Sequence, residues 1–517
     1  MLEKILGKIK SAQGGGGGGE SSSSLVPNDT PWNAAPTKQQ MYRYRKQRGV
    51  NLGSLFTLET WLTPSLFKGI DGAKSEYDLI SQIDGKEAKE RLEHHWNSFI
   101  DDGDWQWMKE QGIASVRLPI SYYHFIPGHP DPNVQAMMKG TEYEFFAPIY
   151  QSAFNCIRRT IEKAAQYEIG VLIDLHAAPG GQNSDGHSGL SGGKANFYNS
   201  VNMKKTTLIL RAIVDTFGQM ENVTGLELIN EPQDNCKLAD WYKEVIKQVH
   251  QNTASPNIPL ILGDCWNTSK YTSLIVSNNE VAAPVILDHH LYRCFTPGDC
   301  HKSAAHHAAD IEPGKNSPTD NFLRDSSFKL GKNLIIGEWS AALNPGSFQG
   351  QEGHKKELQQ AWARAQLSAF NQHCAGHFFW TLKKEGNTDV GWCLYSAIER
   401  DILPLGLGRP RQGMDIDKLE ERGRQELENN YKGHVDYWNQ HAKGKQMHHE
   451  FYRDGFAQIY KDCVEFYRWC GDEIGFTSQW VKVRTNSHSQ EKGGQGDWEF
   501  RDGGNKAIEC FLRALWS

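Results

Sequence analysis

Two glutamates stand out as residues that can do chemistry. Glu231 follows the apolar run in GLELINEPQ (225–233), and Glu338 follows that in NLIIGEWS (333–340). In each case a run of apolar residues delivers a carboxylate to its C-terminal edge. Two carboxylates held on either side of a glycosidic bond are what retaining hydrolysis requires: one a protonated acid, the other an ionised nucleophile. Polar residues gather at the same edge of other apolar runs. Arg117 lies in IASVRLPI, His176 ends IGVLIDLHA, Asn230 precedes Glu231, His290 and Tyr292 end PVILDHHLY, and Trp380 lies in GHFFWTL. Arg117 and Tyr292 are expected to keep Glu338 ionised, and burial beside Glu338 to raise the pKa of Glu231. A metal hydrolase would want several histidines and carboxylates at ligand spacing. The neighbours His289 and His290 point to opposite faces of a strand, so they cannot share one ion. No metal and no cofactor is expected.

The elements that must position these groups follow from periodicity. Apolar runs at 48–53, 113–120, 169–177, 223–230, 258–264, 284–292, 333–340 and 376–382 are separated by helical patterns, such as 154–168 and 238–251. Eight strands alternating with helices predict an α/β fold, a (β/α)8 TIM barrel, in which all strand C-termini share one mouth. An open doubly wound sheet is the rival, but no GxGxxG follows the first run. The barrel is expected over 41–400. Residues 1–40 are expected to be a disordered tail with a Gly/Ser linker at 14–24. Residues 401–517 are expected to be a C-terminal charged helical insertion and extension packed on the barrel. There 448–470 is helical and suited to be the closing outer helix, 487–504 is loop-like, and 506–515 is a short helix.

Bulk composition sets limits. The 517 residues carry a net charge of −6, which gives no footprint for nucleic acid. Sixteen tryptophans suit sugar stacking, although tryptophan is also ordinary core filler. Ten cysteines show no CxxC and no zinc spacing. MLEKILGKIKSAQ is too charged for a signal peptide, and no segment is apolar enough to span a membrane, so a cytoplasmic location is expected. LEKILGKIK could make a weak membrane contact as a short basic amphipathic helix.

The set RLPI, LHAAPGGQN, INEPQ, DHHLY, GEWS and FFWTLK resembles glycoside hydrolase family 5 of clan A, most of all its fungal exo-β-1,3-glucanase branch. RGVNLGSLFTLETWLTPSLF (48–67) is similar to that branch's opening strand and loop. The resemblance implies Glu231 as general acid/base, Glu338 as nucleophile and Asn230 as the partner of the sugar 2-hydroxyl. It implies Arg117, His176, His290 and Tyr292 around the −1 subsite and Trp380 beneath its glucose. It further implies Glu59 on the hydroxyls of a terminal glucose and Phe295 at the entrance. The implied substrate is a β-glucan oligosaccharide or β-glucoside. One departure touches specificity: Ser184 and Asp185 stand where the branch carries an aromatic that clamps the second sugar against Phe295. Alternatives are a glycolipid or small-molecule β-glucosidase, a β-1,6-glucanase, a transglycosidase, or a non-catalytic sugar-binding barrel.

Overall fold

A computed structural model describes residues 30–277, 284–410, 412–442, 444 and 446–516. Eight parallel strands close a barrel in sequence order: β1 Gln47–Asn51, β2 Ser115–Ser121, β3 Gly170–Ala177, β4 Val223–Glu227, β5 Leu260–Gly263, β6 Val285–Leu291, β7 Leu334–Trp339 and β8 Gly376–Phe379. Each lies within or within one residue of an apolar run named above, and the helices Ala153–Gln166 and Leu238–Asn252 match the two helical patterns. Among the described residues no helix is long and apolar enough to cross a membrane.

Alternation along a strand sends every second side chain inward. In β3 the inward series is Leu172, Asp174, His176; in β6 it is Ile286, Asp288, His290. Both climb from an apolar floor through a buried acid to an imidazole at the mouth. All six residues are buried. The floor residues Leu172, Ile261, Ile286, Ile335 and Phe378 form one apolar cluster with Tyr44, Phe476, Trp480 and Phe456. The bottom of the barrel is therefore sealed by the C-terminal part of the chain.

That part is a cap of four helices: Ile416–His441, His449–Cys470, Thr477–Lys492 and Asp497–Trp516. The first buries only Leu419, Gly423 and His434 and shows its charges outward, as its composition predicts. Three expectations need correction. The helix at 448–470 belongs to the cap and does not close the barrel; the short helix Leu394–Glu399 follows β8 instead. The segment 487–504 is not a loop, because residues 477–492 and 497–516 are helical. Its glycines are packing glycines: a β-carbon on Gly503 would overlap the carbonyl oxygen of Tyr452, and one on Gly455 that of Phe500. Nor does the tail extend to residue 40. Thr37 begins a capping box for the helix Lys38–Tyr44. The carbonyls of Thr30, Pro31 and Ala34 accept bonds from Ser487 and Arg484 of the cap. The Gly/Ser linker and LEKILGKIK lie outside the described residues.

Ion pairs join cap to barrel. Arg48 of β1, fully buried, meets Asp472 and, at 3.2 Å, Glu473. Trp516 Nε1 donates to the second oxygen of Glu473 at 2.9 Å.

Candidate active site

Glu231 is not on a strand. Regular β4 stops at Glu227, though Leu228 and Asn230 still donate their amides to Ile261 of β5 and Leu175 of β3. Glu231 then adopts a positive φ of 42°, a left-handed turn that Pro232 follows. The side chain of Gln182 ties this lip down, donating to the carbonyls of His176 at 2.7 Å and Asn230 at 2.9 Å. Glu338, by contrast, lies within β7, and Tyr292 and Trp380 each sit one residue past a strand.

One oxygen of Glu231, a ring nitrogen of His290 and one oxygen of Glu338 lie within 4.8 Å of one another. His290 stands between the glutamates, its Nδ1 2.7 Å from Glu231 and 3.5 Å from Glu338, its Nε2 3.2 Å from Asp288. Glu338 also receives Arg117 Nη1 at 2.9 Å and the Tyr292 hydroxyl at 2.8 Å. Arg117 is wholly buried and spends its other donors on Glu227 at 2.7 Å, Asn230 at 2.8 Å and Asn51 at 3.0 Å; Asp174 is 3.1 Å away. Asp174 in turn holds His176 Nδ1 at 2.6 Å.

The charges do not divide as the sequence predicts. Burial opposes ionisation of Glu231, yet the hydrogen bond and charge of His290, helped by His187 and His176, bring it down to about 2. Burial pushes Glu338 up to about 7, against the pull of His290 and Arg117. The physical reason is the cation between them. His290 is held protonated well above the ordinary histidine range by Glu338 and Asp288, despite its burial, and it lies nearer Glu231. Burial also lifts Asp174 to about 7 and Glu227 to about 8.

A cavity of about 590 Å3 opens over this pair. Its lining includes Glu59, His176, Glu231, Tyr292, Phe295, Glu338 and Trp380. Trp380 lies nearly parallel to His176, with ring centres 5.9 Å apart. Glu59 accepts the Trp61 indole N–H at 2.7 Å. Phe295, 68% exposed, touches Tyr292 and Trp392 edgewise or tilted. Arg117 and Asn230 do not line the cavity; they are fully buried beneath it. His289 turns away to Asp264 at 2.7 Å, the opposite face from His290.

Sequence reasoning missed several members. Asp174 and Asp288 carry a signal, since each stands two residues before a site histidine on the same strand. His187, Trp266 and Trp392 at the mouth carry none. The Nε2 of His187 is 3.5 Å from the outer oxygen of Glu231, and the side-chain amide of Asn183 is 3.1 Å from His187. Ser184 and Asp185 are exposed beside it.

Known proteins resemble this chain over most of its length. Residues 81–386 match the family model for cellulase (glycosyl hydrolase family 5), and residues 419–515 that for the glucan 1,3-beta-glucosidase 3 C-terminal domain. Glucan 1,3-beta-glucosidase 3 of Schizosaccharomyces pombe is 32% identical over 479 residues, covering 91% of this chain and 96% of its own. Glucan 1,3-beta-glucosidase 2 of Wickerhamomyces anomalus is 31% identical over 418 residues, covering 71% and 89%. A rutinosidase from Aspergillus niger shares the fold, with a TM-score of 0.51 at 18% identity over 70% of this chain and 98% of that one. A barrel that places two glutamates across its mouth, matched over most of its length and continuous with a relative at 32% identity, makes this chain a glycoside hydrolase, a member of glycosyl hydrolase family 5.

Proposed function

We propose that this enzyme hydrolyses β-glucosidic bonds with retention, releasing glucose from the non-reducing end of β-1,3-glucan oligosaccharides or related β-glucosides. The observation that carries the reading is the clustering of Glu231, His290 and Glu338 within 4.8 Å. That spacing supports direct attack by a carboxylate, since inverting enzymes leave roughly 6.5–9.5 Å for a water. Arg117 and Tyr292 are non-titrating donors near neutral pH, and both aim at Glu338, which suits a nucleophile. The proton needed on Glu231 is one hydrogen bond away. Transfer from His290 Nδ1 across 2.7 Å yields a neutral imidazole and a carboxylic acid.

In the first step a Glu338 oxygen bonds to the anomeric carbon. The bond from that carbon to the leaving oxygen breaks, and Glu231 gives that oxygen its proton. In the second, Glu231 takes a proton from water, whose oxygen displaces Glu338 from the sugar. Glu59 and Trp61 in the lining of the cavity support recognition of a terminal glucose. The ten unpaired thiols support action in a reducing compartment.

Proton NMR of laminaritriose digestion tests the proposal. The expected first product is β-glucose, formed by the wild type and lost on Glu338→Gln. First release of α-glucose would overturn retention. A second reading, a β-glucoside with a non-sugar apolar aglycone, is favoured by Trp266 and Phe295, which are exposed and line the cavity. It predicts faster turnover of an alkyl β-glucoside than of laminaritriose.

A further inference from the structure

We propose that His434, His449 and Glu499 form a binding site for one divalent transition-metal ion of the zinc class, in the helical cap and away from the catalytic mouth. The three residues come from three elements: His434 from the first cap helix, His449 from the start of the second, Glu499 from the first turn of the fourth. His434 Nε2 lies 2.9 Å and His449 Nδ1 3.1 Å from the same oxygen of Glu499. All three ligand atoms fall within 4.8 Å of one another. Around an ion bonded at ~2.0–2.2 Å, tetrahedral ligand atoms stand roughly 3.4 Å apart. The present positions need only small side-chain shifts to reach that.

The surroundings are those of a metal centre. A ligating histidine ordinarily hands its second ring nitrogen to a carboxylate, and a ligating carboxylate is itself hydrogen-bonded. Here His434 Nδ1 lies 3.4 Å from Asp502, and the other oxygen of Glu499 accepts the backbone N–H of His448 at 2.6 Å. The His434 ring is fixed by stacking on Tyr452, centres 4.1 Å apart. His434 and Glu499 side chains are 3% and 1% exposed, while His449 is 18% exposed and leaves an entry side. Two imidazoles and one carboxylate suit zinc, cobalt or nickel; calcium and magnesium prefer all-oxygen sets. The sequence hides the site because its ligands are spread over 65 residues and share no local spacing. Bound there, an ion cross-links three cap helices.

The test uses the full chain, dialysed against EDTA and titrated with zinc chloride. Bound metal is measured by mass spectrometry after desalting and the unfolding midpoint by calorimetry. The expected result is one zinc per chain and a higher midpoint. His449→Gln, at the most exposed ligand, is expected to weaken binding at least ~10-fold while leaving the circular dichroism spectrum and glucosidase activity unchanged. Asp502→Asn is expected to lower affinity by roughly 10–100-fold. Cobalt is expected to give the intense visible bands of a tetrahedral site. No retained zinc, or zinc retained equally by His449→Gln and Asp502→Asn, would overturn the proposal.

Discussion

At the scale of residues the site works by where one proton resides. Glu338 must be ionised to attack, so kcat/KM is expected to fall as pH drops through about 7, the value to which burial raises it. Tyr292 donates to its anion. A hydrogen bond to a charged group contributes about 1.5 kcal/mol, or about one pKa unit. Tyr292→Phe is therefore expected to move the acidic limb upward by about one unit, seen in a pH–rate profile on an aryl β-glucoside. An unmoved limb would mean that another group sets it. Glu231→Gln is expected to lose roughly 10²–10⁴-fold on an unactivated glucoside. It should lose far less on a dinitrophenyl glucoside, whose leaving group needs no acid. The membership of the site was legible because strand ends converge, which brought Arg117, His290 and Tyr292 to Glu338 and His290 to Glu231 as well. The charge distribution was not legible. It depends on a histidine lying closer to one carboxylate than the other, and on Asp174, Glu227 and Asp288 buried below, all of which are distances and not spacings.

Elements were legible in proportion to their regularity. Eight apolar runs became eight strands because parallel strands buried on both faces must be apolar throughout. The lip at Leu228–Glu231 was read as strand because its apolar pattern outlasts the regular ladder. Only the second half of the fourth cap helix was read as helix, at 506–515, because GGQGDWEFRDGG before it has the composition of a loop. Its Gly503 and Gly504 are there for contact with the second cap helix. The pair predicts a clear outcome. Gly455→Ala gains about 1 kcal/mol in helix propensity but overlaps the Phe500 carbonyl, and overpacking costs about 1–3 kcal/mol or more. A lower unfolding midpoint is expected by scanning calorimetry. A higher one would mean that the two helices part easily.

On the scale of the whole molecule, cap and barrel share one apolar cluster at the barrel floor and are expected to fold together. A chain ending at residue 409 would expose the floor residues Leu172, Ile261, Ile286, Ile335 and Phe378. It would also take from Arg48 both of its acid partners, Asp472 and Glu473. Such a truncation is expected to be insoluble, or to lack a cooperative melt by circular dichroism. A soluble, active product would show that the barrel stands alone. The same ion pair bears on synthesis. Asp472 follows Arg48 by 424 residues, so β1 leaves the ribosome long before its counter-ions exist. For that whole interval the nascent barrel has an open floor and an unneutralised guanidinium, a state suited to a chaperone's grasp. A segment made 424 residues later supplies the counter-charge of the first strand.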